Sequence, residues 1–390
     1  LNEQLGTTDL IIVGGGVLGT FHAYHALRRG LRVVLIERNA VVHGATVRNF
    51  GQVVPSGMDA TWQRFGRESL EIYRSIQTQF DLSVRQQGSI YVASDDEEQT
   101  LIEELHAINR DVGYESELWT ATRCRERYPQ LRSDYCRGGL FFPQEVSVNP
   151  REMIHRLHRY LQQNPAFESH FGVPVTELGV DAAGQVRART SDGRTFAAER
   201  AIVCSGSEFG QLFPDRFRAS DLVAVKLQML RLSPQPNAML PGNILTGRSI
   251  RRYESFAQCP SWNAIKSGEP EDDFAKRWGV HILFKQEPDG SVILGDSHEY
   301  APVKKFDQLD FELRSDVNDF MLDEAAKIFD LPSWNVESSW AGVYCQTNHP
   351  TGIHTETIDE RIHVVTGIGG KGMTSSAGFS KHHLTEIYHD

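Results

Sequence analysis

Residues 9–13, Asp9-Leu10-Ile11-Ile12-Val13, form a continuous apolar, β-branched run after the leading aspartate. That is the pattern of a strand buried on both faces of a sheet. It runs into Gly14-Gly15-Gly16-Val17-Leu18-Gly19, after which Ala23, Ala26 and Leu27 recur at helical spacing and Gly30 supplies a C-terminal cap. A second apolar strand over 31–36 stops at Glu37. The pattern predicts a βαβ unit, which requires a parallel sheet and a right-handed crossover.

Further along, the periodicity predicts helices over 61–80 and 96–112, with a strand pair over 84–93 turning at Gln87-Gly88. A strand over 138–143 precedes Asn149-Pro150, which opens a helix reaching about residue 163. Short strands fill 173–203, with a hairpin turn at Asp192-Gly193 and a buried strand over 200–204. From 223 to about 340 alternating strands dominate, as in 225–231 and 291–295, with one long charged helix over 307–328. The chain then returns to α/β character: a strand over 362–366, a glycine-rich turn and a helix over 374–388. No repeat or low-complexity linker is evident, so one domain interrupts another through several short crossings.

Composition narrows the class. The chain has 390 residues, a formal charge of −11, 40% hydrophobic and 23% charged residues. This length predicts two or three domains, and the fractions are those of a soluble globular protein. The acidic balance argues against a broad nucleic-acid or anionic-membrane surface. No apolar stretch approaches the ~18 residues of a membrane span. Residues 1–9 lack an export-signal pattern, so a cytoplasmic location is expected. Five scattered cysteines, Cys124, Cys136, Cys204, Cys259 and Cys345, form no C-x-x-C and read as reduced, buried thiols.

Gly14-x-Gly16-x-x-Gly19 is specific because it follows a strand, opens a helix and has an acid, Glu37, ending the next strand. Gly14 permits the tight turn, Gly16 admits a pyrophosphate, and Gly19 lets helix and strand pack closely. Val17 and Leu18 begin the helix, whose N-terminal N–H groups face the phosphates. Glu37, followed by Arg38, suits a ribose diol and disfavours a 2′-phosphate, hence NADP. The single N-terminal unit and the second glycine-rich strand-turn-helix at 365–374 favour FAD over NAD. A flavin extends beyond the pyrophosphate and uses backbone donors at its far end.

On these residues, with the loop Gly44–Gly51 and Cys204-Ser205-Gly206, the chain resembles the D-amino-acid oxidase, glycine oxidase and sarcosine oxidase superfamily. It is similar, more narrowly, to a bacterial subgroup associated with phosphonate breakdown. That likeness is carried by Val47–Gln52, Lys226–Met229, Tyr253–Phe256, Gly295–Tyr300 and Trp340–Tyr344. The resemblance implies a mixed α/β, two-domain fold (α+β). A Rossmann-like FAD-binding domain (1–82, 145–222 and 340–390) would be interrupted by a strand-rich, mixed-sheet substrate domain (83–144 and 223–339). It implies that Ala45, Thr46, Arg48 and Asn49 pass over the flavin and that the main chain of Val175 holds the adenine. Ser205 and Gly206 would pass close to the cofactor, and Gly369, Gly370, Lys371, Gly372, Met373 and Thr374 would line the pyrimidine and ribityl. Some relatives attach FAD through a cysteine two residues before a tyrosine. Here that tyrosine is Tyr344 and the place is taken by Gly342, so a non-covalent flavin is expected.

The implied chemistry is hydride transfer from a neutral amine to the flavin, giving an imine that water hydrolyses. Dioxygen or another acceptor would reoxidise the cofactor. The expected substrate is a small anionic amine, an aminophosphonate by the subgroup likeness. Glycine, sarcosine or a D-amino acid is the alternative, and a non-catalytic FAD-binding subunit of a larger complex is a third reading. Candidate substrate anchors are Arg48, Gln52, Lys226, Gln228, Tyr253, His298 and Tyr344, with Lys371 as a further cation. Lys226 also reads as an edge charge, His298 as a loop histidine and Tyr253 as a packing residue. Trp334 and Trp340 read as core. His382, His383 and His389 read as solvent-facing, so no metal site is expected.

Overall fold

The computed structural model describes residues 4–271 and 273–389, and its fold is mixed α/β. The predicted βαβ unit is present as strand β1 (Gln4–Val13), helix α1 (Val17–Arg28) and strand β2 (Val33–Glu37). Strand β1 lies between two parallel neighbours, β2 and the strand Thr195–Val203. Leu10, Ile11 and Ile12 are therefore fully buried, which accounts for their unbroken apolarity.

The first sheet has eight strands. From one edge it runs through His354–Ile358, Ile362–Thr366, Thr195–Val203, β1, β2 and Phe167–Phe171. The hairpin at Asp192-Gly193 joins Val186–Thr190 to Thr195–Val203, and Gly193 has φ +88°. Helix α1 packs beside the helices Ala60–Gln77 and Gly372–Tyr388. Gly378 makes the closeness of the latter two possible, since a Cβ there would lie 2.2 Å from the Phe65 carbonyl oxygen.

The second sheet has nine strands. Glu299–Pro302 and Val292–Gly295 pair with successive parts of Leu222–Leu232, and the sheet continues through Leu283–Gln286, Asn243–Leu245, Ser89–Ala93, Gly138–Phe142 and Glu117–Thr120. Val336–Thr347 pairs antiparallel along Leu222–Leu232 as far as Thr347. The second sheet therefore keeps the chain until residue 347, past the expected crossing at 340.

Three further expectations are corrected. Residues 84–93 form no strand pair of their own. Ser89–Ala93 pairs with Gly138–Phe142 and Asn243–Leu245, while Arg85 bridges to Ser147. The charged helix over 307–328 is broken into a 3-10 segment, Val303–Gln308, and an α-helix, Ser315–Ala326. His383 does not face solvent: it is buried, and its Nδ1 lies 2.9 Å from His22 Nε2 on α1. His382 does reach the surface, bonded to Glu68. All five cysteines are free and buried. No described helix is long and apolar enough to cross a membrane.

Candidate active site

Gly14 and Gly19 act through packing. Gly14 has φ +106°, and a Cβ there would come within 2.3 Å of the Cys204 carbonyl oxygen. At Gly19 a Cβ would lie 2.0 Å from the Gly14 carbonyl oxygen. Only glycine lets α1 start this close to the strand ends. Glu37, buried at the end of β2, accepts from the Gly15 N–H at 2.8 Å through Oε2 and from the Asn39 N–H at 2.9 Å through Oε1. The loop after β2 closes over the helix start, where the Val17 N–H donates to Thr46 Oγ1 at 3.0 Å. Asn49 braces that loop by donating to the Ala45 and Thr46 carbonyls and accepting from the Gly51 N–H.

A cavity of about 520 Å³ begins at this turn and runs between the two sheets. Gly16, Val17, Leu18, Glu37, Arg38, Ala45, Thr46, Arg48 and Asn49 line its first part. Ser205, Gly206, Gly342, Gly369, Gly370, Lys371, Gly372, Met373 and Thr374 also face it. Two helices, α1 and Gly372–Tyr388, thus direct their N-termini at one space. Ser205 Oγ and Gln52 Nε2 are buried on the cavity wall without a hydrogen-bond partner. Such orphaned groups, beside two helix starts and the buried acid Glu37, fit a dinucleotide carrying polar groups along its length. Among the expected cofactor contacts, Gly14, Gly19 and Val175 do not line the cavity; the two glycines shape the turn behind it, whereas Val175 lies apart from it. Val175 is buried in a hairpin and paired with Thr190.

Of the expected substrate anchors, Arg48, Gln52, Tyr253, His298 and Tyr344 line the cavity, and Lys226 and Gln228 do not. Strand alternation is the reason: Leu227 faces the cavity, so its neighbours point to the opposite side. Lys226 Nζ donates to Asp310 Oδ1 at 2.7 Å, and Gln228 Nε2 donates to the Arg314 carbonyl and to Asn318 Oδ1. Arg48 faces the cavity, yet its guanidinium is held by the His43 and Ala341 carbonyls. Lys371 pairs with Glu254 at 3.0 Å.

One cation of the cavity, Arg252, is missed by the sequence reading. Arg251 ion-pairs with Asp95, Glu97 and Glu98, the acidic run at the start of the helix Asp96–Asp111. Arg252, the next residue, lines the cavity and has no ion pair among the described residues; its Nη2 donates to the Tyr300 hydroxyl at 2.9 Å. A signal was available, since two adjacent arginines after a helical turn cannot both face the same partner. Close by, His281, Asp296 and His298 converge, all buried and all on the cavity wall. Burial pushes the His298 imidazole down to about 3 and lowers that of His281. Burial alone would raise Asp296, but His298, His281 and Arg252 together hold it below the usual carboxylate range. Burial pushes the Tyr253 and Tyr344 phenols upward, which keeps them neutral hydrogen-bond donors.

A family model described as DAO, FAD dependent oxidoreductase, matches residues 9–386. The chain belongs to this family of FAD-dependent oxidoreductases. Among curated proteins, it is 23% identical to a glycine oxidase of Geobacillus kaustophilus over 214 residues, covering 51% of this chain and 54% of that one. It is 25% identical to a monomeric sarcosine oxidase of Streptomyces avermitilis over 213 residues, covering 54% of each. A mitochondrial sarcosine dehydrogenase of Mus musculus is 25% identical over 37% of this chain and 16% of its own length. The matches thus span about half or less of these relatives. Among solved structures, the G. kaustophilus glycine oxidase superposes with a TM-score of 0.75 at 16% identity, covering 99% of this chain and 96% of that one. An L-proline dehydrogenase from P. horikoshii does so with a TM-score of 0.77 at 16% identity, covering 99% and 94%. These structural likenesses show the fold that this chain shares with the two enzymes.

Proposed function

We propose that this DAO-family member oxidises a small primary or secondary amine that carries an anionic group, and that an aminophosphonate such as 2-aminoethylphosphonate or its N-methyl derivative is the substrate. One observation carries the reading: Arg252, a half-buried guanidinium in the same cavity as the FAD-binding loops, makes no ion pair among the described residues, and Asp296 acts on it only through its field. A cation lining such a cavity favours a ligand that brings an anion to it. Tyr300, which accepts from Arg252, and Tyr344 put hydroxyls on the same wall. A phosphonate dianion accepts from several such donors at once, which favours it over a carboxylate.

FAD, when bound, supplies the hydride acceptor. The residues of this chain position the substrate and exclude water. Arg252 binds the anion, while Tyr253 and Tyr344 close the wall with rings whose phenols stay protonated. Gly342, standing two residues before Tyr344 where some relatives carry the attaching cysteine, supports a flavin held without a covalent bond.

Glycine, sarcosine or a D-amino acid is the second reading, favoured by the names of the curated relatives. Anaerobic bleaching of the flavin separates the two. Aminoethylphosphonate and its N-methyl derivative are expected to bleach it faster than glycine, sarcosine or D-alanine. Bleaching by the amino acids alone would refute the phosphonate assignment. Arg252→Ala is expected to raise the KM for the anionic amine by about 10–100-fold, the worth of a charge-assisted contact, with a smaller change in kcat.

A further inference from the structure

The glycine-rich turn is braced from behind by a histidine far away in sequence. His158, on the helix Pro150–Leu161, brings its Nε2 to 2.9 Å from Thr20 Oγ1, and both side chains are buried. Thr20 Oγ1 in turn lies 2.8 Å from the Gly16 carbonyl oxygen and 3.0 Å from that of Gly15. Both carbonyls can only accept, so the single hydroxyl proton is directed at them and a lone pair faces His158. The imidazole must then carry its proton on Nε2. Burial pushes it down to about 4, so near neutral pH it is an uncharged donor, which the Gly15 carbonyl also draws on.

The two carbonyls differ in their other support. That of Gly16 also accepts the Thr20 N–H at 2.9 Å, as the first turn of a helix requires. That of Gly15 precedes the helix and is met by the Thr20 hydroxyl. In a trans peptide the C=O and the following N–H point in opposite directions. Holding the Gly16 carbonyl back therefore turns the Val17 N–H the other way, and it does emerge at Thr46 Oγ1, on the cavity wall. Holding the Gly15 carbonyl back turns the Gly16 N–H likewise, at a residue that itself lines the cavity.

We propose that His158 is a positioning residue for the cofactor: through Thr20 it fixes the Gly15 carbonyl and thereby aims the Gly16 N–H at the pyrophosphate of FAD. Neither His158 nor Thr20 lines the cavity, so neither is a cofactor contact. The role is independent of which amine is oxidised. Without the imidazole the Thr20 hydroxyl is free to rotate away from Gly15, and that carbonyl loses its donors inside the protein. The peptide can then turn, taking the Gly16 N–H with it. Packing alone is the competing account, since His158 also meets Phe171 edge-on with ring centroids 5.0 Å apart.

The test measures the dissociation constant of FAD on the full chain stripped of flavin, by quenching of flavin fluorescence. His158→Leu, which keeps an apolar filling and removes the donor, is expected to weaken FAD at least about fivefold. His158→Gln, whose side-chain N–H can reach Thr20 Oγ1, is expected to stay within about twofold of wild type. Thr20→Val, of nearly the same shape as threonine, is expected to weaken FAD as well. The double variant Thr20→Val with His158→Leu is expected to lose less than the two losses combined, because the side chains act as one unit. Phosphorus NMR of bound FAD is expected to show shifted pyrophosphate resonances in His158→Leu and wild-type resonances in His158→Gln. Melting temperatures of the flavin-free proteins separate this role from packing. A His158→Leu protein that melts lower yet binds FAD as tightly as wild type overturns the proposal. So does a His158→Gln protein as weak as His158→Leu, or losses that add fully in the double variant. If His158→Leu does not fold, Thr20→Val decides: unchanged FAD affinity and phosphorus resonances there overturn the proposal.

Discussion

Arg251 and Arg252 are adjacent in sequence and opposite in fate. The first is neutralised by three acids of one helix start, whereas the second is left to the cavity. Glu145 shows the same dependence on surroundings. Its Oε1 accepts from the Ser56 N–H and the Tyr114 hydroxyl, both at 2.8 Å, while Oε2 is buried without a partner. Burial raises this carboxyl to about 7 from an ordinary 4.5. Between those two values the folded state keeps a proton that the unfolded chain has released. The contribution of Glu145 to stability is therefore fully present below 4.5 and is lost as the pH rises through about 7. Glu145→Gln is expected to gain stability relative to wild type as the pH goes from 5 to 8, measured by urea denaturation. A stability difference that stayed constant over that range would show that Glu145 does not titrate there.

Among the elements, legibility followed burial. The run 10–12 was readable as strand interior because both faces are covered, leaving no polar position among these residues to confuse the pattern. The hairpin at Asp192-Gly193 was readable because its turn residues are local. The break between Val303–Gln308 and Ser315–Ala326 was not readable. The intervening residues answer to partners distant in sequence, as Asp310 does to Lys226 and the Arg314 backbone N–H does to Gln228 Oε1. The packing of Gly372–Tyr388 on Ala60–Gln77 was equally hidden, since only the fold brings Gly378 against Phe65. Gly378→Ala is expected to lower stability by about 1–3 kcal/mol through overpacking, seen as a lower melting temperature. Gly19→Ala, which would drive a Cβ into the Gly14 carbonyl, is expected to abolish FAD retention, read as loss of flavin absorbance in the purified protein.

For the whole molecule, the cavity between the sheets links stability to cofactor. Added FAD is expected to raise the melting temperature in a concentration-dependent way, as any ligand that binds only the folded state must. Acid precipitation is expected to leave the yellow colour in the supernatant, because Gly342 offers no thiol where some relatives attach FAD. Colour in the pellet would contradict this.

The linear order of residues was enough to specify the nucleotide-binding end. There the chemistry is carried by the backbone and by close neighbours: a strand, three glycines, a helix start and an acid after the next strand. The other end of the cavity was decided only by the tertiary fold. Arg252, His281 and the stretch holding Asp296 and His298 come from three separate segments, and whether a strand residue such as Lys226 faces the cavity or the far side depends on which surface the sheet covers. Short-range patterns determine backbone conformation, whereas the meeting of distant side chains depends on how the sheets pack, which no local pattern encodes.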